Sequence, residues 1–143
     1  MISRHPWGGF NKLHDIVGCF VCAEDKFLLL QRGLSKPQGG TWAPPAGKVE
    51  KGESFTDALV RETHEETGLE FRSDKFKEAH KYFENIGTYD FVFHVYEVRA
   101  DNIQTIRIDP SAHTAYKWAT PDQALALPLI QDFDVVIKNF FNK

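Results

Sequence analysis

The stretch from Gly47 to Leu69 leaves this chain the least freedom. Ser54, with Asp57 three residues later, reads as a helix start. The Ser hydroxyl can accept a backbone N–H, and the acid stands like the partner of a capping box near the positive end of the helix dipole. Gly68 supplies the stop, because it can take the left-handed conformation that a helix C-terminus favours. Between them lies a helix of about four turns at roughly 3.6 residues per turn, with Phe55, Ala58, Leu59 and Val60 available for packing. Glu62, Glu65 and Glu66 then stand at i, i+3 and i+4, so their carboxylates converge on one face. From Glu50 to Glu70 seven acids face only Lys51 and Arg61, a local charge of −5 against −3 for the whole chain. Like charges at this spacing destabilise a helix by roughly 0.2–0.5 kcal/mol per pair, so something must offset them.

The spacing identifies what that is. Gly47, Glu53, Arg61, Glu62, Glu65, Glu66 and Gly68 match seven positions of a fixed template, and ordinary residue frequencies put a chance match on the order of one in a million. The string resembles the Nudix box of the Nudix hydrolases. Thr63 departs from it, standing where the family usually carries an aliphatic residue, at a position that faces the helix interior side and ligates nothing in the family pattern. A Glu-rich helix is ordinarily a solvated face, and the template reverses that reading. Clustered carboxylates suit a hard cation, Mg²⁺ first, with Mn²⁺ able to fill the same oxygen site. Such an ion would also let a phosphate-bearing substrate approach the acidic face.

The resemblance implies an α/β/α sandwich with a mixed central sheet, and hydrolysis of a nucleoside diphosphate linked to another group by water attacking phosphorus. Position by position it implies Glu62 as general base and metal ligand, with Glu65 and Glu66 as further ligands. Glu53 would be a supporting ligand or an acid that orients water. The segment Gly39–Gly47 is too rich in Gly and Pro for a regular interior strand and reads as a loop. By resemblance the Ala46 carbonyl at its end joins the metal shell. Arg61, one residue before Glu62 and four before Glu65, is placed to orient carboxylates through charge-assisted hydrogen bonds.

The remainder fits one α/β domain spanning residues 1–143, 42% hydrophobic and 13% aromatic. Strands are expected near Leu13–Ala23, Phe27–Gln31, Phe76–Phe83, Asp90–Val98 and His113–Trp118. Thr120, Pro121 and Gln123 read as N-cap, N1 and N3 of a second helix. Pro128 separates it from an amphipathic helix over Gln131–Phe141, whose Phe133, Val136, Ile137 and Phe140 repeat at helical spacing. Cys19 and Cys22 lie on a strand, where i and i+3 point to opposite faces, so they read as core thiols. No apolar run approaches the ~20 residues needed to cross a bilayer, and the start lacks the apolar stretch of a signal peptide. A cytoplasmic protein, monomeric or homodimeric, is expected.

Substrate choice is less constrained. In relatives a Glu often precedes the histidine that begins the strand before Trp118, but here Ala112 precedes His113. Glu97, Glu84 and Asp109 are the other candidate ligands, each more often a surface acid. His80, His94 and His113 are more often structural or solvated. No proline lies between Gly68 and Pro110, so the mark of many ADP-ribose hydrolases is absent. Tyr82 and Tyr89 match a dinucleoside-polyphosphate marker only loosely. Asp132 is the counterpart of the polar residue that hydrogen-bonds the base in nucleotide-pool-cleansing relatives, with Trp42, Phe83 or Phe133 to stack on it. A nucleoside triphosphate pyrophosphohydrolase of MutT type is the reading. The alternatives are hydrolysis of ADP-ribose, a dinucleoside polyphosphate or the 5′ end of RNA, and a non-catalytic nucleotide-binding module. The acidic balance disfavours nucleic acid, although Lys75, Lys77 and Lys81 form a local basic patch.

Overall fold

The computed structural model describes residues 1–143. Its strands are β1 (Ile2–Ser3), β2 (Lys12–Ala23), β3 (Lys26–Arg32), β4 (Trp42–Ala43), β5 (Ala46–Lys48), β6 (Lys77–Asn85), β7 (Asp90–Arg99) and β8 (His113–Ala119). The helices are α1 (Phe55–Thr67), α2 (Pro121–Leu125) and α3 (Phe133–Phe141), and one 3₁₀ turn covers Ser73–Lys75. The sheet runs β1-β6-β7-β2-β3-β4, with β5 also paired to β2 and β8 to β3. It is mixed because β2 and β7 are parallel while the other pairs are antiparallel.

Strand alternation divides the core into two layers. Val17, Cys19 and Val21 of β2 face Ala58 and Leu59 of α1, together with Leu28 and Leu30 of β3. Phe20 of β2 and Phe27 and Leu29 of β3 face the other way, onto Ala124 of α2 and Phe133, Val136 and Ile137 of α3. This is the period of two expected when both faces of a sheet are covered by helices, and it gives the α/β/α sandwich. Cys19 belongs to the α1 layer while Cys22 packs against the α3 layer, so the two thiols lie on opposite faces.

The caps form largely as expected. Ser54 Oγ accepts the Asp57 N–H at 3.1 Å, and Gly68, at φ 77°, donates its N–H to the His64 carbonyl at 2.9 Å. The Asp57 carboxylate makes no return bond to Ser54. It is one methylene shorter than the Glu or Gln of a full box. Thr120 and Gln123 do complete theirs, at 3.2 and 3.0 Å. The expected loop before the box helix is instead interrupted by β4 and β5. The prolines between them sit outside the ladders, so Trp42 pairs with Gln31 and Gly47 with Val17 on either side. The last helix starts at Phe133 rather than Gln131 because Asp132 takes a left-handed conformation, φ 69°.

Candidate active site

The site is built where β5 crosses α1. Pairing with β2 carries the Ala46–Gly47 backbone over the helix, close enough that a Cβ on Gly47 would overlap the Glu62 carboxyl. A glycine there lets strand and acid lie directly against each other. The Ala46 N–H donates to Glu66 Oε1 at 2.9 Å.

Arg61 organises the acids around it. Its Nε and Nη2 donate to the two oxygens of Glu53 at 2.9 and 3.0 Å, a fork-on-fork pair. Nη1 donates to Glu62 Oε1 at 2.7 Å, Nη2 also reaches the Lys48 carbonyl at 3.1 Å, and Glu65 Oε2 lies 3.6 Å from Nη1. Glu53 Oε1 accepts the Glu50 N–H at 3.0 Å as well. The Arg61 guanidinium and that N–H hold the Glu53 carboxyl down at about 2. Both Glu53 oxygens are thus engaged, and its contacts are those of a clamp on Arg61.

Glu62 and Glu66 are shifted the other way. Burial pushes Glu66 up to about 8, opposed by the Ala46 N–H and reinforced by the charges of Glu62 and Glu65. Burial likewise raises Glu62, against the pull of Arg61. Glu65 is the outer member, its side chain 57% exposed. No three His, Cys, Asp or Glu side chains close around a point that would enclose a metal ion: Glu62 is turned to Arg61 and Glu66 to Ala46. The trio still fits a hard divalent cation. Its donors are all oxygen, and Glu62 and Glu65 each raise the proton affinity of Glu66, a surplus of negative charge that such an ion relieves.

Beside the acids opens a cavity of about 530 Å³. One part of its wall is polar, with Glu66, Arg32, Lys48, His113 and the Ala46–Gly47 backbone. The rest is largely apolar, with Ile16, Ile86, Tyr89, Phe91, Phe93, Ile130 and Phe133. Of the residues expected to bind substrate, Phe133 lines this cavity and three do not. Trp42 is buried in the α3-side core, its backbone tied to Pro128 and Ile130 at 2.9 Å each, and its neighbours Ala43 and Pro44 take the wall positions. Phe83 points to the opposite face of β6, edge-on to Phe10. Asp132 has Oδ2 3.1 Å from the Met1 ammonium and is not on the wall.

Glu84, a candidate ligand in the sequence that was expected at the surface, instead lines the cavity and is only 6% exposed. Alternation along β6 was the available signal: Tyr82 and Glu84 share the inward face, and Phe83 therefore cannot. Arg32, Lys48 and Phe93 carried no sequence mark of their own. Glu97 and Asp109 lie outside the cavity, Asp109 accepting from Ser111 N and Oγ at 2.9 and 2.7 Å. His94 bonds Asp15 at 2.9 Å and His80 bonds Arg4 at 3.0 Å. His113 lines the cavity with its buried Nδ1 unpartnered.

The family description that matches is the NUDIX domain, over residues 12–140. The chain belongs to the Nudix family. With membership comes hydrolysis of pyrophosphate bonds in nucleotide-related substrates. This Nudix hydrolase is 32% identical over 118 residues to the CTP pyrophosphohydrolase of Escherichia coli K12, covering 82% of this chain and 84% of that protein. It is 27% identical over 114 residues to the phosphatase NudJ of the same strain, covering 80% and 72%. Among solved structures, the E. coli ORF135 protein superposes with a TM-score of 0.76 at 29% identity, covering 96% of this chain and 94% of the other. No helix is long and apolar enough to cross a membrane.

Proposed function

We propose that this Nudix hydrolase cleaves nucleoside triphosphates to the monophosphate and pyrophosphate, the reaction of a MutT-type enzyme. The observation that carries the reading is the single cavity lined by two unlike sets of residues. Arg32 and Lys48 offer positive charge to a polyphosphate beside Glu66 of α1, while Phe91, Phe93 and Phe133 offer an apolar surface to a base. The relative named for CTP supports the same substrate class. The basic patch that would favour RNA does not line the cavity: Lys77 and Lys81 occupy exposed positions of β6.

Nudix hydrolases generally use divalent metal ions, and here Glu62, Glu65, Glu66 and the Ala46 carbonyl would hold Mg²⁺ or Mn²⁺. The bound ion supplies neutralisation of charge on the phosphate oxygens. Arg61, itself fixed by Glu53, holds Glu62 against the Gly47 backbone at the cavity wall. Glu62, partly desolvated and raised in proton affinity, takes the proton of the attacking water. The water oxygen bonds to phosphorus as the P–O bond bridging the α- and β-phosphates breaks, which releases the monophosphate and pyrophosphate. The test is a panel of nucleoside triphosphates, ADP-ribose and dinucleoside polyphosphates with Mg²⁺ or Mn²⁺. Pyrophosphate and monophosphate from triphosphates are expected; orthophosphate alone, or turnover confined to the other substrates, would overturn the assignment.

A further inference from the structure

Glu84 is the one buried carboxyl that the catalytic arrangement does not use. It faces the cavity from β6, flanked by Ile2 of β1 and Phe91 of β7, and neither of its oxygens receives a hydrogen bond from the protein. A carboxyl this buried normally has a partner, and since its oxygens are not fully enclosed they open onto the cavity, where a ligand can supply one. The only charged groups that act on it are Asp132, before α3, and the Met1 ammonium, which is itself paired with Asp132. The acids of α1 are not among them.

On the reading that the cavity holds a nucleoside triphosphate, we propose that the Glu84 carboxyl hydrogen-bonds the edge of the nucleobase and that its protonation state sets which bases the enzyme prefers. Burial, reinforced by Asp132 and opposed by the Met1 ammonium, pushes Glu84 up to about 8. At neutral pH it is therefore mostly the acid, a donor beside an acceptor. In that state its O–H donates to N3 of cytosine or N1 of adenine while its carbonyl accepts from the exocyclic amino group. Ionised, it offers two acceptors. Cytosine and adenine then lose one bond and set a ring-nitrogen lone pair against a charged oxygen. Guanine alone keeps two bonds, because N1–H and the 2-amino group are adjacent donors. The preference for guanine over adenine thus rises as Glu84 loses its proton.

The test compares kcat/KM for ATP, GTP, CTP and UTP from about pH 6.5 to about pH 8.5, on either side of the Glu84 pKa. Wild type, Glu84→Gln and Glu84→Ala are compared within purines and within pyrimidines, which removes the effect of base size. In wild type the GTP:ATP ratio should climb roughly tenfold over this range, the scale of one bidentate base contact. Glu84→Gln, whose amide keeps one donor and one acceptor but does not titrate, should hold the ATP and CTP rates and give a flat ratio. Glu84→Ala should lower both and also be flat. A ratio that climbs equally in wild type and Glu84→Gln, or does not climb in wild type, overturns the proposal while leaving triphosphate hydrolysis intact. If no triphosphate is turned over, the functional reading fails instead. Calorimetric binding of AMP and GMP at the two pH values then decides for Glu84: a GMP:AMP affinity ratio that rises only in wild type supports it, and any other result overturns it.

Discussion

At the scale of single residues, the site depends on which oxygen meets which hydrogen. Replacing Glu62 by Gln should lower kcat by roughly 10²–10⁴-fold with a smaller change in KM, as for loss of a general base. Steady-state kinetics check this, and a loss below tenfold would move the base to another carboxylate. Thr63 offers a prediction of opposite sign. Its hydroxyl is buried without a partner, which costs about 1–3 kcal/mol. Thr63→Val should therefore raise the melting temperature, by the equivalent of about 1 kcal/mol, and leave turnover unchanged; a lower melting temperature would mean the hydroxyl is satisfied in solution. The departure of Thr63 from the template was legible in the sequence, as was its inward direction. The contacts of Glu53 were not, because spacing alone cannot tell a carboxylate that faces a metal from one that grips an arginine.

At the scale of elements, the sequence shows its limits at β4 and β5. The strands with alternating or continuous apolar runs were legible to within one or two residues, as were the capped helices, since those signals are local. The two short strands around Pro44 and Pro45 were not, because their pairing is fixed by distant partners, Gln31 and Val17, rather than by their own composition. Trp42 was misplaced for the same reason: once β4 pairs with β3, the indole turns into the core. The approach of β5 to α1 gives a test. A methyl group on Gly47 would occupy the position of the Glu62 carboxyl, so Gly47→Ala should displace that acid. A misplacement of about 1 Å can cost on the order of 10²-fold in rate. The expected outcome is a loss of kcat of that order with circular dichroism unchanged, and full activity would show that β5 and Glu62 are not held in contact.

At the scale of the molecule, buried and paired carboxyls shape how stability follows pH in metal-free protein. Glu84 is raised to about 8 from an ordinary value near 4.5, so between these values the folded chain binds more protons than the unfolded chain. Stability from this group is complete below about 4.5 and is lost as pH rises through 8. Glu53, held at about 2 by Arg61, acts oppositely: its contribution is present above about 4.5 and is lost only as pH falls toward 2. His113, lowered by burial and by Arg32, penalises folding once the pH falls below the usual imidazole range. Between about pH 6.5 and 8.5 two raised carboxyls dominate, Glu84 and Glu66, both pushed up to about 8, because Glu53 does not change charge there and His113 contributes only near the bottom of the range. The melting temperature without added metal should fall over that range. Glu84→Gln should fall less steeply, since its amide has no proton to lose. Thermal melts in chelator at a series of pH values check both, and equal slopes in the two proteins would place the Glu84 carboxyl in contact with water rather than in the apolar wall.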